Sequence, residues 1–263
     1  MANGFNIGNF TIHFYSLCIL LGIIVAYIVI RLEAHNQRLS KDYIFNVVFY
    51  GLIIGILGAR IHYVLFNLDY YLEYPSEIIK IWHGGLAIHG GIITASIFVY
   101  FYSTKVQKTS FLRSTDVILP GVILAQAIGR WGNFFNQEAY GIEVSEKLLH
   151  KLLIPNFVIK GMYIDGAYHL PTFYIESILC IIGFLIIILI RTRLNNRVGY
   201  VTAFYLVWYG IIRFIIELFR IDSLMIFNIK IACVISIIFI IVGIALFIRS
   251  TYKRNLRYRR TMV

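Results

Sequence analysis

The chain has 263 residues, of which 59% are hydrophobic and only 14% charged. A soluble chain carries roughly 25% charged residues, so a soluble globular domain is excluded. The net charge of +11 does not signal nucleic acid, because the basic residues sit in short segments between apolar runs, where they set membrane topology and attract anionic lipid.

Residues 1–13 contain no Lys or Arg, so there is no basic leader of the kind that precedes a cleaved signal. The first apolar run is expected to remain as the first helix. Seven spans are predicted, over residues 14–30, 43–66, 86–103, 115–135, 172–190, 199–219 and 231–248. Crossing a bilayer takes about 20 mostly apolar residues. Continuous rather than alternating apolar runs predict helices, not a barrel. The expected fold is therefore all-α: one polytopic membrane domain over residues 1–263. Cys18, Cys180 and Cys233 each lie inside a run and read as small buried side chains without metal spacing.

Fifteen of the 24 Lys and Arg residues fall on one side of this arrangement and six on the other, with Arg60, Arg130 and Arg213 inside spans. The richer side, which includes the C-terminal tail, is expected to be cytoplasmic. The N-terminus is then outside and the C-terminus inside. The longest connection, residues 136–171, lies on the outer side. Its composition is only moderately polar, so it is expected to pack on the bilayer surface or to cap a cavity.

An arginine at bilayer depth costs about 2.5 to 3.5 kcal/mol on insertion scales, so the three in-span arginines need a reason. Arg60 follows Gly55 and Gly58, small residues that allow close helix contact. A buried ion pair or a snorkelling side chain accounts for it. Arg130 stands in Gly129-Arg130-Trp131-Gly132-Asn133-Phe134-Phe135-Asn136-Gln137-Glu138. On a helix, Arg130 and Asn133 share a face, and Asn136 continues it. Guanidinium donors match phosphate oxygens two at a time, so this face suits a phosphate and glycerol hydroxyls, with Glu138 as a candidate counter-charge. Arg213, Glu217 and Arg220, at i, i+4 and i+7, form one stripe, in which Glu217 is expected to pair with both arginines as a structural charge network. A cation would then remain for a ligand, and Arg213 is the candidate.

The duplication His83-Gly84-Gly85 and His89-Gly90-Gly91 adds titratable groups in a frame that allows close approach. His89 is the stronger candidate, because His83 lies nearer the interface. No P-loop, HExxH or GxSxG element is present.

With these residues in hand, the sequence resembles the bacterial prolipoprotein diacylglyceryl transferases over nearly its whole length. The most specific match is Gly129 to Gly141, which looks like the family signature Gly-Arg-x-Gly-Asn-Phe-x-Asn-x-Glu-x-x-Gly. His89-Gly90-Gly91 is similar to a second motif. Tyr15 looks like the tyrosine of a first-helix element, and Arg213, Phe214, Glu217, Phe219 and Arg220 resemble a sixth-helix motif. One segment departs: Leu170-Pro171-Thr172-Phe173-Tyr174-Ile175-Glu176-Ser177 has leucine where the family often has histidine, and its tyrosine is moved by one place. One residue is about 100° of helix rotation, so Tyr174 cannot substitute directly; His169 is the nearest stand-in, and only packing or gate shape is expected of this segment.

The resemblance implies transfer of diacylglycerol from phosphatidylglycerol to the lipobox cysteine of a prolipoprotein signal peptide, in the bacterial plasma membrane, with no nucleic acid involved. It implies catalytic roles for His89, Arg130 and Arg213. It implies substrate binding by Tyr15, Arg130, Asn133, Asn136, Glu138, Gly141 and Arg213. No metal or cofactor is called for, since the arginines supply the charge. A transporter or flippase would also place polar residues at depth, but inverted repeats and broken helices are not visible. An intramembrane protease would need a serine or paired aspartates that do not occupy fitting positions.

Overall fold

The computed structural model describes residues 4–8, 10–193, 197–227 and 229–252. The tail basic residues Lys253, Arg254, Arg257, Arg259 and Arg260, counted above for orientation, lie outside the described residues, as does the side chain of Arg193. In chain order the elements are hairpin strands β1 (Gly4–Ile7) and β2 (Phe10–His13), α1 (Phe14–Asn36), α2 (Lys41–Leu65), short α3 (Leu68–Glu73), α4 (Ile88–Phe101), α5 (Phe111–Asn136), short α6 (Glu146–Lys151) and α7 (Asn156–Gly161), strands β3 (Tyr163–Ile164) and β4 (Ala167–Tyr168), α8 (Thr172–Arg193), α9 (Tyr200–Phe219), strands β5 (Met225–Ile226) and β6 (Ile229–Lys230), and α10 (Ile231–Tyr252).

Among the described residues six helices, α1, α2, α5, α8, α9 and α10, are long and apolar enough to cross a membrane. The run predicted at 86–103 is shorter as a helix: α4 has 14 residues and is prolonged by a π-helical turn over Tyr102–Val106. It starts at residue 88 because Gly84 and Gly85 hold φ of 85° and 74°, a conformation that ends any helix upstream. Leu20, Leu21, Ile24 and Ile28 on α1, and Ile237, Ile238 and Ile241 on α10, are exposed. In water such a surface would aggregate; in lipid it is the solvated face. The chain is a multi-pass membrane protein.

Two compact units are distinguished, residues 31–114 and residues 1–30 with 115–263. In the second of these, α1 packs on α5 through small residues. A Cβ on Gly22 would stand 3.2 Å from the Ala125 carbonyl, and one on Gly121 would stand 2.6 Å from that of Ala26. Further along, Gly210 and Gly243 let α9 and α10 approach to backbone contact, the usual route to helix association in lipid. Ser177 Oγ donates to the Ala127 carbonyl at 2.8 Å, tying α8 to α5.

Proline at position 120 lies inside α5. It has no N–H to give to the Asp116 carbonyl four residues earlier. Arg191 Nη2 supplies the missing donor at 2.5 Å, the kind of replacement that makes an in-span proline tolerable. The Asp116 carboxylate caps α9, accepting from Gly199 N at 2.6 Å, Thr202 N at 2.8 Å and Thr202 Oγ1 at 2.6 Å. At the far end of α9, Lys230 Nζ donates to the carbonyls of Glu217 and Arg220 at 2.6 and 3.0 Å.

The 136–171 connection has a core of its own. Leu149, Ile154, Val158, Ile159 and Met162 are buried against Phe134 at the end of α5 and Phe173 at the start of α8. Its β3–β4 hairpin turns on Asp165-Gly166, both at positive φ, as a two-residue primed turn requires.

In the 31–114 unit, α2 and α4 pack through Gly55, Gly58, Gly90 and Gly91. Tyr43 OH bonds the hydroxyls of Ser103 and Ser114 at 2.7 and 2.5 Å. Arg60 is buried, and among the described residues it makes neither the ion pair nor the snorkelling contact expected of it. It donates instead to backbone carbonyls of the segment between α3 and α4.

Candidate functional site

The site grows from three helices of one unit. On α9 the residues Tyr205, Tyr209, Arg213 and Glu217 are spaced four apart, so they share a face. Arg213 Nη2 lies 2.6 Å from Glu217 Oε2. From α5, Arg130 Nη2 reaches the Tyr209 hydroxyl at 3.3 Å, and its Nη1 stands 3.5 Å from Asn133 Oδ1. Asn133 Nδ2 in turn donates to Glu138 Oε1 at 2.8 Å.

The centre of the network comes from α8. Glu176 is 1% exposed, and its Oε1 lies 2.8 Å from Arg130 Nη2. Its Oε2 faces Arg213 Nη1 at 3.7 Å. That distance is beyond a good hydrogen bond, and Arg213 Nη1 is buried with no hydrogen-bond partner among the described residues. Glu176 therefore stands between two guanidinium groups, the second of which also holds Glu217, and one buried donor of Arg213 is left without a hydrogen bond among the described residues. A buried donor left unsatisfied costs about 1–3 kcal/mol, and an anion placed there would recover it.

Several expectations change here. Glu138 is not the counter-charge of Arg130; Glu176 is, and Glu138 orients Asn133. Glu217 does not pair with both arginines. Arg220 is the C-cap of α9 at φ −76° and ψ 139°, so its backbone has left the helix and its side chain has left the stripe. It pairs with Asp222 instead, through two bonds of 3.0 Å. These bonds prevail over the partial burial of Asp222 and hold its carboxyl below the usual range. The segment at 169–177, of which only packing or gate shape is expected from the sequence, supplies the central acid. Glu176 and Tyr209 were both missed. An acid inside an apolar span carries the same cost as an arginine there, and Tyr209 stands one turn before Arg213.

The remaining candidates are placed as follows. Tyr15, at the start of α1, lies against α5: a Cβ on Gly132 would sit 2.7 Å from its ring. Asn136 is exposed at the end of α5, just before Gln137 and Ala139 turn the chain through positive φ. Gly141 is a backbone junction. Its N–H donates to the Leu170 carbonyl at 2.9 Å, its carbonyl meets His169 Nδ1 at 3.0 Å, and it bridges to Arg220. A Cβ there would stand 3.0 Å from Leu170 and Thr172. His89 belongs to the 31–114 unit, where it is exposed in the first turn of α4.

These features define a multi-pass membrane protein with a buried arginine–carboxylate network between its helices. The family model described as prolipoprotein diacylglyceryl transferase matches residues 3–249. The phosphatidylglycerol–prolipoprotein diacylglyceryl transferase of Staphylococcus aureus (strain MSSA476) is 44% identical over 252 residues, covering 95% of this chain and 89% of that relative. The protein of the same name from Streptococcus uberis is 44% identical over 255 residues, with 96% of each chain covered. The chain belongs to the prolipoprotein diacylglyceryl transferase family.

Proposed function

We propose that this protein transfers the diacylglyceryl group of phosphatidylglycerol to the lipobox cysteine of a prolipoprotein in the bacterial cell membrane, the first step of lipoprotein maturation. The observation that carries the reading, beside family membership, is the buried pair Arg130 and Arg213 held about Glu176, with Arg213 Nη1 left without a hydrogen bond among the described residues.

The cysteine sulfur, as thiolate, attacks the sn-3 carbon of the glycerol. The carbon–oxygen bond to phosphate breaks, and glycerol-1-phosphate leaves with the bonding electron pair. A thioether forms. The thiol proton passes to His89. Arg130 and Arg213 face the phosphate, where charge gathers as the bond breaks. In a site poor in water, donors already aimed at that charge contribute more than they would in bulk solvent. Glu176 and Glu217 keep the guanidinium groups in place between turnovers. Asn133, Asn136 and Tyr15 position the head group. Both substrates are confined to the membrane, so alignment of sulfur and carbon is the remaining requirement.

The test is direct. The purified protein in liposomes containing phosphatidylglycerol with a labelled diacylglyceryl group should move the label onto a lipobox peptide as a thioether. Lipid movement between leaflets without peptide labelling would support a flippase and overturn the reading.

A further inference from the structure

Arg60 sits on α2, in the 31–114 unit. Its guanidinium spends all its donor groups on one short stretch of backbone. Nε donates to the Ile78 carbonyl at 2.9 Å, Nη1 to those of Gly84 and Gly85 at 2.7 and 2.9 Å, and Nη2 to those of Glu77 and Lys80 at 2.5 and 3.5 Å. The Tyr71 ring covers it, with Cζ 5.3 Å from the ring centre. Among the described residues no carboxylate lies within ion-pair distance of it; the Glu77 carboxylate is taken by Lys80 and His83.

The stretch is shaped to receive this group. Gly84 and Gly85 both hold positive φ, and a Cβ on Gly85 would lie 2.5 Å from Arg60 Nη1 and 2.7 Å from the Tyr63 ring. Two residues on, Ala87 N donates to the carbonyl of Ala59, the neighbour of Arg60, at 3.0 Å. Ala87 is the N-cap of α4, and His89 follows in its first turn. Residues 59 and 60 thus fix the turn and the cap from which His89 projects.

We infer that Arg60 is a positioning residue for the transfer reaction, acting through the 84–87 turn on the placement of His89. The inference rests on the role proposed above for His89. Lysine keeps the charge but reaches one or two carbonyls instead of five, and it cannot form the fork. A misplacement of about 1 Å is enough to lower a rate by about 100-fold. Arg60→Lys should therefore lower kcat by at least about 10-fold, with KM for phosphatidylglycerol little changed.

The deciding measurement is a double-mutant cycle with His89→Asn, in reconstituted full-length protein. If Arg60 acts through His89, Arg60→Lys should cost little further once His89 is gone, because coupled residues are non-additive. Gly85→Ala, which leaves every charge intact but crowds Nη1, should reproduce both results and stands in if Arg60→Lys does not insert. Losses that multiply overturn the inference while leaving the His89 role intact. Normal transfer by His89→Asn alone overturns both. Normal kcat in Arg60→Lys and Gly85→Ala overturns the inference alone.

Discussion

Glu176 and Arg130 meet at 2.8 Å across two helices, the acid almost fully buried and the arginine with about a fifth of its side chain exposed. Either charge alone inside an apolar span would be costly. Together they bring α5 and α8 to a fixed spacing, and Arg213 from α9 stands on the other oxygen of the same carboxylate.

Removing one member of such a pair leaves the others uncompensated, typically at about 3–5 kcal/mol. Glu176→Gln keeps the shape and loses the charge. Transfer should fall by at least about 100-fold, at roughly 1.4 kcal/mol per decade, and the melting temperature of the detergent-solubilised protein should drop. Wild-type transfer by Glu176→Gln would remove Glu176 from the site.

Arg130→Lys tests the phosphate clamp separately from charge. Lysine retains the cation but cannot offer two parallel donors. Membrane insertion and yield should be unchanged, while transfer in reconstituted liposomes should be nearly abolished. Full activity would leave the clamp without support.

The proton acceptor is tested by pH. A free cysteine has a pKa of about 8.5, so at neutral pH most of the thiol is protonated. If His89 takes the proton, His89→Asn should transfer poorly at about pH 7 and recover in part as the pH rises and thiolate forms unaided. A near-normal rate with an unchanged profile would point instead to the departing phosphate as the base.

Orientation is tested at the end of α5. The distribution of Lys and Arg predicts that Asn136 lies on the outer side. A cysteine at position 136 should react with an impermeant maleimide added outside intact cells. Labelling from the cytoplasmic side alone would invert the topology.

Much of this was legible in the sequence, because membranes penalise local features that are easy to read. Apolar runs gave the long helices, and arginine at depth pointed to Arg130 and Arg213. What stayed hidden depends on assembly. Glu176 becomes central only when α8 docks beside α5 and α9, and a spacing rule on one helix cannot show that. Arg220 obeys the α9 spacing, yet the helix ends on it, so Glu217 and Arg220 part company. Arg60 looked like a packing residue beside glycines, whereas its carbonyl partners lie 17 to 25 residues away.

The pinning of α9 at both ends has a bearing on motion. Three donor groups of Gly199 and Thr202 engage Asp116 at one end, and Lys230 grips two carbonyls at the other. Turning the helix by one residue would swing Arg213 through about 100° and would break bonds at both ends together. Such a helix behaves as a rail, not a lever.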